Sequence, residues 1–245
     1  MKKQPKLILR ESCVYDVSKS WPPGRFVEMG AGTGHMTRIF LARGFSGACH
    51  DLGDDSRRMM QENLAYASDR MVVVDDLAAL PDSSFDYLLA FEVLEHIEHD
   101  AQVLRDWVRH LKPGGRILVS VPAHQRKYGR SDELVGHVRR YEKAALHALL
   151  AGAGFEDIRI VNYGFPITEL TRRLSNRIVR DDRSYEGLSP EQRSIRSAQA
   201  KPRAINRVLS LVSGRFFLPF RSVQRWFYRL DLGDGYVACG VKRFD

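Results

Sequence analysis

The tightest constraint on the fold lies in residues 26–35, Phe-Val-Glu-Met-Gly-Ala-Gly-Thr-Gly-His. An apolar run carrying Glu28 leads into Gly30, Gly32 and Gly34 and then into a helical pattern, so the segment reads as strand, tight loop and helix. Glycines at alternate positions accept positive φ and let the backbone come close to a ligand. A dinucleotide fingerprint has glycines at its first, third and sixth positions, and the sixth position here is His35. The loop is built for a nucleoside without the pyrophosphate turn.

A second anchor follows one strand later. Asp51 ends the run Gly47-Ala-Cys-His-Asp51, 21 residues after Gly30 and ahead of a helical pattern over 56–67. A carboxylate there can accept hydrogen bonds from both ribose hydroxyls, although the position also suits a helix cap. Met71-Val-Val-Val74 is an apolar run of the kind buried in a parallel sheet, and it ends in Asp75-Asp76. A further strand, 85–91, is followed by Glu92-Val-Leu-Glu-His-Ile97, and Pro113-Gly-Gly115 is expected to end a helix and feed the strand over 116–121.

These motifs, in this order, resemble class I S-adenosylmethionine (SAM)-dependent methyltransferases. The hexapeptide at 92–97 resembles the small-molecule enzymes of the ubiquinone and menaquinone biosynthesis type. The resemblance covers 24–165. It implies an α/β, Rossmann-like, seven-stranded and mostly parallel sheet with helices on both faces, in the order 3-2-1-4-5-7-6, with Gly235–Lys242 as an antiparallel last strand. It implies SAM as methyl donor and S-adenosylhomocysteine as product. Around the cofactor it places Glu28, Gly30, Ala31, Gly32, Gly34, Asp51, Leu52, Asp75, Asp76, Leu77, Phe91 and Glu92. Asp76 fits the adenine-contacting acid through its spacing to Leu80-Pro81.

Methyl transfer from a sulfonium needs alignment, exclusion of water and sometimes a base. His96 and His137 are the candidate bases. Gly136-His-Val-Arg-Arg-Tyr141 falls after strand five, where Arg139, Arg140 and Tyr141 are expected on the acceptor side; a loop salt-bridged to Asp132 and Glu133 is the alternative. The acceptor is read as a small molecule, such as a lipid, quinone, saccharide or natural-product intermediate, methylated on oxygen or nitrogen. An Asn/Asp-Pro-Pro-Tyr motif and a catalytic Pro-Cys, which base methylation would use, are missing. An RNA-binding protein or RNA methyltransferase, and a SAM-binding scaffold that transfers nothing, stay open as alternatives.

With 245 residues and 44% hydrophobic residues, the chain is expected to form one domain over 1–245. Net charge is +8, yet residues 167–229 hold 14 Lys/Arg against 5 Asp/Glu. The basicity belongs to an insertion over 167–230, before the last strand, read as helical and as a cap on the acceptor pocket. Arginines interleaved with aromatics also suit contact with an anionic membrane, whereas nucleic acid is the weaker reading. Three scattered cysteines, with no Cys/His cluster, argue for a reducing compartment and against a zinc site, and no metal is expected. No stretch approaches the roughly 20 apolar residues that span a bilayer, so the expected location is cytoplasmic, with the inner membrane face as a peripheral site. Residues 7–20 read as a short helix or lid, in which Tyr15 either closes over the cofactor or packs.

Overall fold

The structure is a computed structural model that describes residues 5–169, Arg172, Gly187 and 219–244. Its sheet follows from runs buried on both faces. Strands β1 (Arg25–Met29), β2 (Ser46–His50), β3 (Met71–Val74), β4 (Phe85–Phe91), β5 (Leu111–Pro122), β6 (Phe155–Tyr163) and β7 (Gly235–Lys242) lie in the order β3-β2-β1-β4-β5-β7-β6. β7 is antiparallel to both neighbours, and the other neighbouring pairs are parallel. The order and the antiparallel strand are those implied by the resemblance.

Side chains alternate across the sheet and give each face its own core. On one face Phe26, Leu89 and Leu118 meet Leu9 of α1 (Pro5–Ser18), Phe40 of α2 (His35–Leu41) and Met60 of α3 (Asp54–Leu64). On the other, Val27, Leu88 and Val119 meet Leu104 and Trp107 of α4 (Asp100–Val108). A short α5 (Arg130–Val135) precedes α6 (Lys143–Gly152), whose Leu146 and Leu150 join that second core. Each fully buried leucine contributes about 1.5–3 kcal/mol.

Two local expectations change. The Pro113-Gly114-Gly115 turn is not a boundary between helix and strand: it lies inside β5 as an irregularity between the pairs Phe85–Leu111 and Tyr87–Arg116, with Gly114 at φ 72°. The helix expected over 56–67 stops earlier, and Ala65–Ala67 is a 3₁₀ turn. Most of the insertion over 167–230 lies outside the described residues. Its described end holds α7 (Phe220–Val223) and a 3₁₀ turn, Gln224–Phe227, with Trp226 81% exposed. No helix among the described residues is long and apolar enough to cross a membrane. Cys13, Cys49 and Cys239 are free thiols, and burial raises the pKa of each.

Candidate active site

Strand order reverses between β1 and β4, which makes the crevice outside their carboxyl ends the place for a ligand. The glycine loop rims that crevice. Gly30, Gly32 and Gly34 take φ of 66°, 58° and 76°, and a Cβ on Gly30 would sit 2.6 Å from Val93 Cγ2. Glycine is required there by conformation and by the turn packed behind it. Glu28 is 1% exposed and accepts a 2.6 Å hydrogen bond from Thr37 Oγ1; burial pushes its carboxyl up to about 8. Ala31 and Phe91 are buried, and Phe91 stacks on Phe40 at 6.2 Å.

Asp51 is tied to the same loop. Its Oδ2 accepts the Gly32 N–H at 2.8 Å and its Oδ1 the Gly53 N–H at 3.2 Å, while Leu52 beside it is 80% exposed. At the end of β3, Asp75 pairs with Arg57 at 3.1 Å, and Asp76 accepts the Ala78 N–H at 2.8 Å, shaping the 3₁₀ turn that carries half-buried Leu77.

The leading helix closes over the crevice with residues that the sequence did not single out. Lys6 Nζ lies 2.9 Å from Glu92 Oε2, Arg10 lies 3.7 Å from Glu92 Oε1, and His35 Nε2 meets Glu11 at 2.5 Å. Burial would raise the Glu92 carboxyl, but the Lys6 and Arg10 charges outweigh it and hold it well below the usual range. Glu92 has φ 58°, unusual for a non-glycine residue and often a mark of function. Tyr15 is toward the other end of the helix, 46% exposed, with the Arg43 guanidinium packed over its ring. Apart from their spacing of one helical turn, nothing in the sequence marks Lys6 or Arg10.

Beyond Glu92 the chain makes a 3₁₀ turn, Leu94–His96, and the loop after β5 folds against it through Val138 N–H to Glu95 O at 2.8 Å. This brings His96 and His137 together, with ring centroids 4.8 Å apart. His96 Nδ1 contacts Gly136 O at 3.1 Å, and burial together with the neighbouring His137 pushes its pKa down to about 4. His137 Nδ1 meets Asp132 Oδ1 at 2.8 Å, and its Nε2 is 3.7 Å from Glu95 Oε1. Glu95 is 0% exposed, with neither carboxylate oxygen hydrogen-bonded among the described residues. Burial and the Glu92 charge raise its pKa well above the ordinary value.

Arg139, Arg140 and Tyr141 surround this cluster, but their polar atoms are engaged within the chain. Arg140 contacts both Asp132 oxygens at 3.0 Å and Asp234 Oδ1 at 2.9 Å. Arg139 reaches Asp100 at 3.1 Å and Glu98 O at 2.7 Å. Tyr141 donates to Asp100 Oδ2 at 2.6 Å. The Asp132 half of the salt-bridged alternative is therefore present at Arg140, while Glu133 pairs with Arg130.

A seven-stranded sheet of this order, with a glycine loop and an acid at the ends of β1 and β2, defines a class I Rossmann-like nucleoside-binding fold. The profile of the family described as "Methyltransferase domain" matches residues 10–160, and the chain belongs to that family. A probable SAM-dependent methyltransferase of Mycolicibacterium smegmatis is 38% identical over 104 residues, 41% of this chain and 40% of that protein. A ubiquinone biosynthesis O-methyltransferase of Xanthomonas oryzae is 29% identical over 100 residues, 39% of this chain and 42% of that protein. The chain thus spans about two fifths of the length of these relatives. Among solved structures, phosphoethanolamine N-methyltransferase 2 of Haemonchus contortus, in complex with SAM, superposes with a TM-score of 0.61 at 17% identity, covering 96% of this chain and 52% of that one. That similarity establishes the fold.

Proposed function

We propose that the chain transfers a methyl group from SAM to an oxygen or nitrogen of a small-molecule acceptor. The observation that carries this is the Asp51 carboxylate, held by the N–H groups of Gly32 and Gly53 at the crevice. Each of its oxygens keeps a second lone pair for a ribose hydroxyl. The surroundings fit the rest of the molecule. Exposed Leu52 and half-buried Leu77 offer apolar faces to adenine, with Asp76, or Asp75 beside it, for its amino group. Glu92 and Arg10 supply opposite charges suited to the ammonium and carboxylate of a methionine moiety. When bound, SAM supplies an already activated methyl. The chain has to hold the acceptor atom in line and keep water out.

The acceptor side is the group formed by Glu95, His96 and His137, beside Glu92 and under the leading helix. His96 and His137 remain the residues through which the acceptor atom is activated. Arg140 and Tyr141 act as positioning residues, because both are buried with their polar atoms engaged. Arg139, with a third of its side chain exposed, reaches an acceptor anion by exchanging its contacts with Asp100 and Glu98 O. The relative named for ubiquinone O-methylation supports a phenolic or hydroxyl acceptor. The basic insertion is read as the cap of this pocket, with an anionic membrane surface as its external contact.

Titration calorimetry tests the donor. SAM binds more tightly than NAD, and Asp51→Ala weakens SAM binding about tenfold or more, from loss of about 1.5–3 kcal/mol of charge-assisted hydrogen bonding, in a protein that still melts cooperatively. Tighter binding of NAD overturns the reading. Unchanged SAM affinity removes Asp51 from the site.

A further inference from the structure

Asp234, which precedes β7, is 4% exposed and faces three cations at once. Arg140 Nη1 lies 2.9 Å and Arg172 Nε 3.6 Å from its Oδ1, and Lys6 Nζ lies 3.8 Å from its Oδ2. Each of the three leans on a second carboxylate. Arg140 pairs with Asp132, Arg172 with Glu169, which also holds Lys127, and Lys6 with Glu92, which also holds Arg10. Among the described residues, five cations are thus joined to four carboxylates. Glu95 does not make up the difference, because burial and the Glu92 charge keep its pKa well above the ordinary value. Buried charge left over in this way is costly until an opposite charge answers it. We infer that the acceptor carries its own anionic group, a carboxylate or a phosphate, and that Arg172 and Lys6 hold it.

Arg172 gives the inference its address. Its Nη2 donates to Glu169 Oε1 at 2.7 Å, whereas its Nε–H is buried without a hydrogen-bond acceptor, the Asp234 oxygen beside it being engaged by Arg140 instead. A buried guanidinium N–H without an acceptor is a group for which a ligand oxygen supplies what the chain does not. Arg10 Nε is in the same state, and the methionine carboxylate of the donor already accounts for it, so Arg172 is left for the acceptor. Exposure agrees. Arg140 is sealed, with 4% of its side chain exposed, while Lys6 and Arg172 keep 30% and 17%, so an anion arriving from solvent meets those two.

Lys6 also reaches Glu92 at 2.9 Å, and Glu92 acts on Glau95 through its charge, which joins this seat to the turn that carries Glu95 and His96. Arg139 differs from Arg172 in having to release Asp100 and Glu98 O before it can meet a ligand. That the anion belongs to a methyl acceptor rests on the proposed methyl transfer; the anion seat does not.

The test titrates the full-length protein, without SAM, with sodium benzoate, with inorganic phosphate and with benzyl alcohol, the uncharged counterpart of benzoate, using calorimetry in a low-chloride buffer. Wild type should bind benzoate or phosphate at one site, more weakly as chloride is added, and should not bind benzyl alcohol. Arg172→Gln should weaken anion binding about tenfold or more while SAM affinity stays within a factor of about three, and Arg58→Gln, at an exposed arginine of α3, should change neither. The melting temperature of wild type should rise with the bound anion and not with benzyl alcohol, a readout that does not depend on a variant folding. Binding of neither anion by wild type, or undiminished binding by folded Arg172→Gln, would overturn the seat. A protein that binds neither anion yet methylates an uncharged acceptor would refute the seat and leave the methyl transfer standing; intact anion binding in a protein that does not bind SAM would do the reverse.

Discussion

Glu28 sits at the carboxyl end of β1 with Thr37 as a hydrogen-bond donor, and burial pushes its carboxyl up to about 8 against an ordinary value of 4.5. Between those two values the folded protein binds a proton that the unfolded chain has lost, so stability falls as pH rises through this window. Glutamine keeps the oxygen that accepts from Thr37 and has nothing to titrate. Glu28→Gln should therefore match wild type near pH 5 and exceed it near pH 8 by about 1 kcal/mol or more, since a tenfold difference in proton affinity between folded and unfolded chains is worth about 1.4 kcal/mol. Urea unfolding at the two pH values checks this; a gap that does not change with pH would remove Glu28 as a titrating group. Glu28 and Asp51 were legible in sequence because the loop that joins them is local, with Gly32 and Asp51 only 19 residues apart. Lys6 and Arg10 were not, because their role depends on Glu92, 86 residues from Lys6.

Two elements border the site, α1 and the loop that carries α5, and both are held by ion pairs. The leading helix α1 is pinned to the crevice by Lys6 and Arg10 on Glu92. Arg10→Met should lower SAM affinity about tenfold and lower the melting temperature by leaving Glu92 poorly compensated. Adding Glu92→Gln should recover the melting temperature but not the affinity, which thermal melts and calorimetry on the double variant would show. The loop carrying α5 is pinned by Arg140, 4% exposed, between Asp132 and Asp234. Removing one partner of a buried ion pair costs about 3–5 kcal/mol, so Arg140→Ala should destabilise by that order in chemical unfolding. If Arg140 serves the acceptor side alone, SAM affinity should stay within a factor of about three; a destabilisation under about 1 kcal/mol would contradict its role as an anchor. The Gly-His-Val-Arg-Arg-Tyr element was visible in sequence as chemistry. Whether its guanidiniums would meet a ligand or the chain's own aspartates was not, since Asp234 lies 94 residues from Arg140.

For the whole molecule, the charge distribution leads to a prediction about surfaces. Residues 167–229 hold 14 Lys/Arg against 5 Asp/Glu, so the chain's excess positive charge lies there, and aromatic residues such as exposed Trp226 lie at the described end of that segment. Vesicle sedimentation should show binding to bilayers with acidic lipid that declines with added salt, and little binding to neutral ones. Equal sedimentation with both would leave the insertion as a cap alone. The sequence by itself determined the strand–loop–helix at β1, the acid at the end of β2, the seven strands and the class they belong to. The class follows from the resemblance that the motifs carry in order; the other features rest on hydrophobic periodicity and on backbone geometry, and both act over a few neighbouring residues. Only the tertiary structure decided that His96 meets His137 over an unsatisfied Glu95, that α1 closes on Glu92, and that Arg140 is held between Asp132 and Asp234. The long-range contacts among these, from Lys6 to Glu92 and from Arg140 to Asp234, join residues 86 and 94 positions apart. They exist because β4, β5 and β7 are neighbours in the sheet and the start of antiparallel β7 lies beside the end of β5, Gly235 against Pro122.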